Sequence, residues 1–106
     1  MTNTLQLTIA EPWFSMIREG KKKEEYREIK PYYESRFYKT FISCFGTCEP
    51  EAGHRFKEFA NLVLRNGYRA DSPKLTLRNP KIKIGKGRPE WGAEPGKLYF
   101  VITWEV

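Results

Sequence analysis

The residues best suited to chemistry lie in one octapeptide, "GKKKEEYR", Gly20 to Arg27, where three lysines, two glutamates, a tyrosine and an arginine follow a glycine. "EEYREI" has the character of a strand, and period-two alternation sends Glu25 and Arg27 to one face and Glu24 and Tyr26 to the other. With Ile29 turned to the core, Glu25 and Arg27 share its side. Opposite charges two residues apart can pair there, each supplying what the other needs when partly buried. Lys22 joins that face only if the chain is still turning between Gly20 and Lys22, which the glycine permits. A solvated lysine–glutamate edge that discourages aggregation is the other reading of the same residues.

The elements around the octapeptide would position it. "LQLTI" (Leu5–Ile9) alternates as a half-buried strand. "EPWFSMIREG" reads as a short helix, with Pro12 at its first position, Trp13, Met16 and Ile17 on one face, and Gly20 at the stop. Pro31 opens a second helix in which Tyr33 and Phe37 stack one turn apart. "TFISCF" could hold a strand. "HRFKEFA" could hold a short helix ahead of the strand "NLVLRN", with Leu62 and Leu64 on one face, and Asn66-Gly67 signals a turn. "KLTLRNPKIKIG" is strand-like in two halves, with Leu75, Leu77, Ile82 and Ile84 apolar and Pro80 demanding a bulge, bend or edge. "GRPEWGAEPG" is loop chemistry, and "KLYFVITWEV" is a strand. Five or six strands with two or three short helices, out of βα alternation, imply a single α+β domain built on a sheet or small barrel.

At 106 residues the chain supports one core, and sixteen aromatics are many for that size. The net charge of +6 is concentrated in one place. Ser72 to Pro89 holds Lys74, Arg78, Lys81, Lys83, Lys86 and Arg88 with no acid, and the rest of the chain has thirteen basic and thirteen acidic residues. Such a field favours polyanions, nucleic acid above all, or serves as a solubilising face. No apolar run approaches a membrane span. The N-terminus lacks the basic and small-residue pattern of a signal peptide, so Cys44 and Cys48 are expected as free thiols in a reducing, cytoplasmic compartment. With His54 they make a poor zinc set, and no metal or other cofactor is expected. "GKGRPEWG" lacks the P-loop pattern. A monomer is the default.

Gly20, Lys22, Glu25 and Arg27 match the G-x-K-x-x-E-x-R signature of ASCH domains, within the PUA-like superfamily. "EPWFSMIREG" before the motif, "PEWG" and a terminal "YFVI" strand also resemble that family. The resemblance spans the chain apart from Phe41 to Phe59, which reads as an insertion. It implies a small, partly open β-barrel with short helices at its mouth and a cationic cleft around the motif that receives RNA or a nucleotide. Some small relatives resemble amidohydrolases of 4-acetylcytidine in which the motif lysine is catalytic, a role that carries over to Lys22. Those relatives have a threonine where this chain has Glu25, and Glu90 in "PEWG" is the candidate for their further glutamate.

Both chemistries can be written on these residues. A bound nucleotide needs cations for phosphate, aromatic faces for the base and directional groups for the base edge. Lys22 and Arg27 supply the first, with Arg65 and Arg69 around the "NGY" turn as an opposite wall. Tyr26, Tyr68, Trp13 and Trp91 are stacking candidates, and Glu25 would orient Arg27 or accept from a base edge. Hydrolysis would need Lys22 well below the ordinary lysine pKa of ~10.4; Lys21 and Lys23 push it down and Glu25 pushes it up. Binding is therefore the expected function, with a nucleoside amidohydrolase and a protein-interaction domain with a basic face as alternatives.

Overall fold

Alternation in "TLQLT" buries Leu5 and Leu7 and leaves Thr4 and Gln6 outside, making Thr4–Thr8 strand β1. The computed structural model describes residues 4–38 and 56–105. After β1 come helix α1 (Trp13–Arg18), β2 (Glu25–Glu28), α2 (Pro31–Phe37), β3 (Asn61–Arg65), β4 (Lys74–Lys86), a 3₁₀ turn at Pro89–Trp91 and β5 (Leu98–Glu105). Among the described residues the strands form one mixed sheet in the order β1-β3-β4-β5-β2, parallel only between β1 and β3. The sheet curls into a half-barrel, an α+β arrangement whose two edges are β1 and β2.

Register explains what the curl encloses. Leu62 pairs with Leu5 and Leu77, and Leu64 with Leu7 and Leu75, so apolar rows cross three strands on the inner face. Farther along, Ile102 stands between Ile82 and Glu25, and Phe100 between Ile84 and Arg27. The motif's acid and guanidinium therefore rise from the same face as the core. Phe100 is fully buried, with Phe37 and Tyr38 edge-on at ring distances of 5.2 and 5.5 Å. Phe56, joined to Tyr38 by an isolated bridge, and Phe59 pack on the same core. Tyr33 and Phe37 stack at 5.5 Å, as their spacing predicts.

β4 runs unbroken through Pro80, but its ladder with β5 slips between Arg78 and Lys81. The expected irregularity is thus a bulge, with Asn79 at a φ of 49° and its side chain donating to Glu105 at 2.6 Å.

A smaller cluster of Ala93, Tyr99 and Val101 lies on the outer face, with Tyr26 packed against it. The loop between β4 and β5 closes over it. Gly87 makes that closure fit: a Cβ there would meet Ala93 at 2.6 Å and the Tyr26 ring at 2.8 Å. Gly87→Ala should cost about 1–3 kcal/mol in denaturant unfolding. A neutral result would mean the loop is not seated on Tyr26.

Several expectations need correction. The buried face of α1 is Phe14 and Ile17, with Trp13 and Met16 only half-buried, because a six-residue helix does not fix from spacing alone which side it turns inward. Pro12 caps that helix rather than starting it, and Glu11 accepts from the Ser15 amide and hydroxyl in place of a cap side chain. Ile29 is exposed: β2 ends at Glu28, and Pro31 holds Lys30 extended, so the alternation stops one residue short. Phe56 to Ala60 form no helix. The "TFISCF" strand, Cys44, Cys48 and His54 lie outside the described residues.

Candidate functional site

The octapeptide divides its charges. Glu19 is the last residue of the α1 turn and Gly20 adopts a φ of +81°. The Gly20 amide donates to the Ile17 carbonyl at 3.0 Å and the Lys21 amide to the Met16 carbonyl at 2.8 Å, the two bonds of a Schellman stop. This reversal turns the chain so that Lys22, alone of the three lysines, enters the interior, 1 % exposed. Lys21 and Lys23 stay in water.

Lys22, Glu25 and Arg27 form one ion triad. The Lys22 Nζ donates to Glu25 Oε1 at 2.7 Å, and Arg27 Nη2 donates to Glu25 Oε2 at 2.7 Å. The ammonium also lies 5.4 Å from the Trp13 ring centre and 5.0 Å from that of Tyr26, so its remaining protons face aromatic π-density. Burial lowers the Lys22 pKa, a shift that the Glu25 carboxylate opposes. For Arg27 burial acts downward too, but Glu25 and the Tyr33 hydroxyl outweigh it and the pKa is raised.

Arg27 also joins the two edges of the half-barrel. Its Nη2 donates to the Thr8 carbonyl of β1 at 2.9 Å and its Nη1 to the Tyr33 hydroxyl of α2 at 3.2 Å. Its Nε is buried without an acceptor. Beside this tie the seam opens into a hollow of about 410 Å³, bounded by Thr8 to Ala10, by β2, by Tyr33 and by the loop before β5. That volume lies within the range of small-ligand sites.

Trp13, Trp91, Tyr26, Tyr33 and Tyr99 give the hollow aromatic walls. Gly92 lets the loop before β5 approach the first of them: it has a φ of +98°, and a Cβ on it would stand 3.0 Å from the Trp13 indole. The charged lining is Glu25, Glu28 and Glu94 against Arg27, Lys30 and Lys97. The expected cationic cleft is therefore balanced in charge. Glu28 and Lys97 partly offset one another at 3.7 Å, and Lys30 sits 5.6 Å over the Tyr33 ring. Tyr26 donates to Glu24 at 2.7 Å and receives the Arg88 amide at 3.0 Å; burial above all raises its pKa well beyond the ordinary phenol range.

The structure thus brings together Lys22, Glu25, Arg27, Tyr26, Trp13 and Trp91. Lys22 stands behind Glu25 and does not line the hollow. Arg65, Tyr68 and Arg69 do not line it: Arg65 ends β3 beside Thr8 but gives its guanidinium to the Arg69 carbonyl, and Tyr68 and Arg69 sit exposed in the turn that follows. Glu90 is exposed and pairs loosely with Arg88 at 3.7 Å; its neighbours Trp91 and Gly92 line the hollow instead. Lys74, Arg78, Lys81, Lys83 and Lys86 lie exposed along β4. The sequence reading missed Tyr33, Lys30, Glu94 and Lys97 as lining residues. Only the aromatic beside a helix-opening proline, Tyr33, carried a local signal, and it was assigned to packing.

Among the described residues, no group of three histidine, cysteine, aspartate or glutamate side chains could hold a metal, and no helix is long and apolar enough to cross a membrane. Comparison of the chain with protein-family models, curated proteins and solved structures returns no match.

Proposed function

We propose that the chain is an ASCH-type domain of the PUA-like superfamily, and that it binds a nucleoside-like unit, free or presented by RNA, in the seam hollow. The observation that carries this reading is the buried Lys22–Glu25–Arg27 triad beside an aromatic-walled hollow. A planar base fits between indole and phenol faces. Glu25 and Arg27 hold each other rigid, so the carboxylate lone pairs that the pairing leaves free can accept from a base edge without reorganising. The balanced lining favours an uncharged ligand over a phosphate.

The test is a thermal-shift panel of the four ribonucleosides, their 5′-monophosphates and 4-acetylcytidine. A nucleoside that binds should stabilise the protein by about 2.7 kcal/mol at 100 times its Kd. Its monophosphate should do no better. Trp91→Ala should weaken binding by about 1–3 kcal/mol, the worth of one stacked base. Stabilisation by monophosphates alone, or by no member of the panel, counts against the reading.

The lowered pKa of Lys22 favours the amidohydrolase as a second reading. Against it, the amine is shut behind the Glu25 carboxylate, where a substrate carbonyl in the hollow meets Glu25 first. Chromatography of the same 4-acetylcytidine samples separates the two: cytidine released by the parent and not by Lys22→Met would replace binding with catalysis.

A further inference from the structure

We infer that the outer face of β4 is a second binding surface, built for the backbone of a single-stranded nucleic acid. Its evidence is independent of what the seam hollow holds. The register assigns Leu75, Leu77, Ile82 and Ile84 to the inner face, which leaves Lys74, Arg78, Lys81 and Lys83 on the outer one. All four are exposed, and among the described residues none of them is in an ion pair. They span about 30 Å along one strand. Across the ladder Lys74 faces Arg65 and Lys83 faces the buried Val101, while Asn61 beside Arg78 and Thr103 beside Lys81 are polar and uncharged, suited to phosphate and sugar oxygens. Glu105, opposite Arg78, is the one acid in these pairs, and the Asn79 amide already engages it.

At the Lys74 end the strip meets an aromatic. Tyr68, in the turn between β3 and β4, is 88 % exposed. The turn that presents it is braced: Arg65 Nη2 donates to the Arg69 carbonyl at 2.7 Å, the Arg69 amide to Ser72 Oγ at 3.1 Å, and the Ser72 amide back to the Arg69 carbonyl at 3.0 Å. Asp71 is the acid within this turn. A row of free cations ending on a solvent-facing ring carried by a braced turn combines backbone attraction with base stacking, which is how unpaired strands are gripped. A duplex offers no free base to Tyr68. The strip itself presents no apolar side chain to insert into a lipid surface.

Fluorescence anisotropy of a labelled oligouridylate of about twelve nucleotides, titrated between about 50 and 300 mM KCl, tests this. Four phosphate contacts give a slope of log K against log salt of about −2.8, and Lys81→Ala with Lys83→Ala should lower its magnitude by about 1.4. Tyr68→Ala should weaken binding roughly 5- to 150-fold while leaving the slope unchanged. The hollow is read out by free nucleosides and this strip by the salt slope of the oligouridylate and its loss in the lysine double variant, so failure of the hollow reading and failure of this one are separable. The proposal falls if the oligouridylate does not bind, if the double variant keeps the parent slope, if a duplex of equal length binds more tightly, or if phosphatidylserine vesicles are captured in preference to the strand.

Discussion

Glu25→Ala should destabilise the fold by about 3–5 kcal/mol, far more than an ordinary surface substitution. The carboxylate is the only anion touching two buried cations, Lys22 at 1 % side-chain exposure and Arg27 at 15 %, among the described residues. Removing it leaves both without a counter-charge. The penalty should shrink as the pH rises. Glu25 is what opposes the downward pull of burial on Lys22, so in the variant the Lys22 pKa falls further below the unfolded value of ~10.4. Between the folded and unfolded values the unfolded chain binds more protons, and stability climbs with pH through that window. Urea unfolding of parent and variant at about pH 7 and about pH 9.5 checks both points. A pH-independent loss under about 1 kcal/mol would mean that the triad is not a coupled buried unit.

Replacing the whole triad should have the opposite effect on stability and the largest effect on binding. A variant carrying Lys22→Met, Glu25→Leu and Arg27→Met exchanges three partly or fully buried charges for apolar groups of similar length. Such exchanges are often neutral or stabilise by 1–4 kcal/mol, because no ion then has to be desolvated. Thr8 and Tyr33 lose the Arg27 donor, but both line the hollow, where water can replace it. The same variant should lose all stabilisation by any nucleoside that protects the parent. Equal or greater stability without ligand response would identify the triad as a functional device. A large loss of stability would make it structural.

The convergence of the motif was legible because it depends on two local rules. Period-two alternation put Glu25 and Arg27 together, and a glycine after a helix supplied the reversal that carries Lys22 inward. The bulge at Pro80 and the charge along β4 were equally local. What the rules missed was non-local. Lys97 and Glu94 reach the hollow because β5 pairs with β2, and Thr8 faces Arg27 because the sheet curls its edges together. Neither pairing leaves a trace in spacing. Arg65 was misplaced for a related reason: its register opposite Thr8 and Lys74 is set by a parallel partner from the other end of the sequence.

The slip between Arg78 and Lys81 has a geometric outcome for both faces of the sheet. β4 advances three residues there while β5 advances two, so the alternation of β4 changes phase at Asn79 and Pro80. If the three residues alternated regularly with no slip to absorb the additional one, Ile82 and Ile84 would swing outward and Lys81 and Lys83 would be driven beneath Phe100 and Ile102. Absorbing that one position keeps a greasy underside and a cationic exterior in step along a thirteen-residue strand.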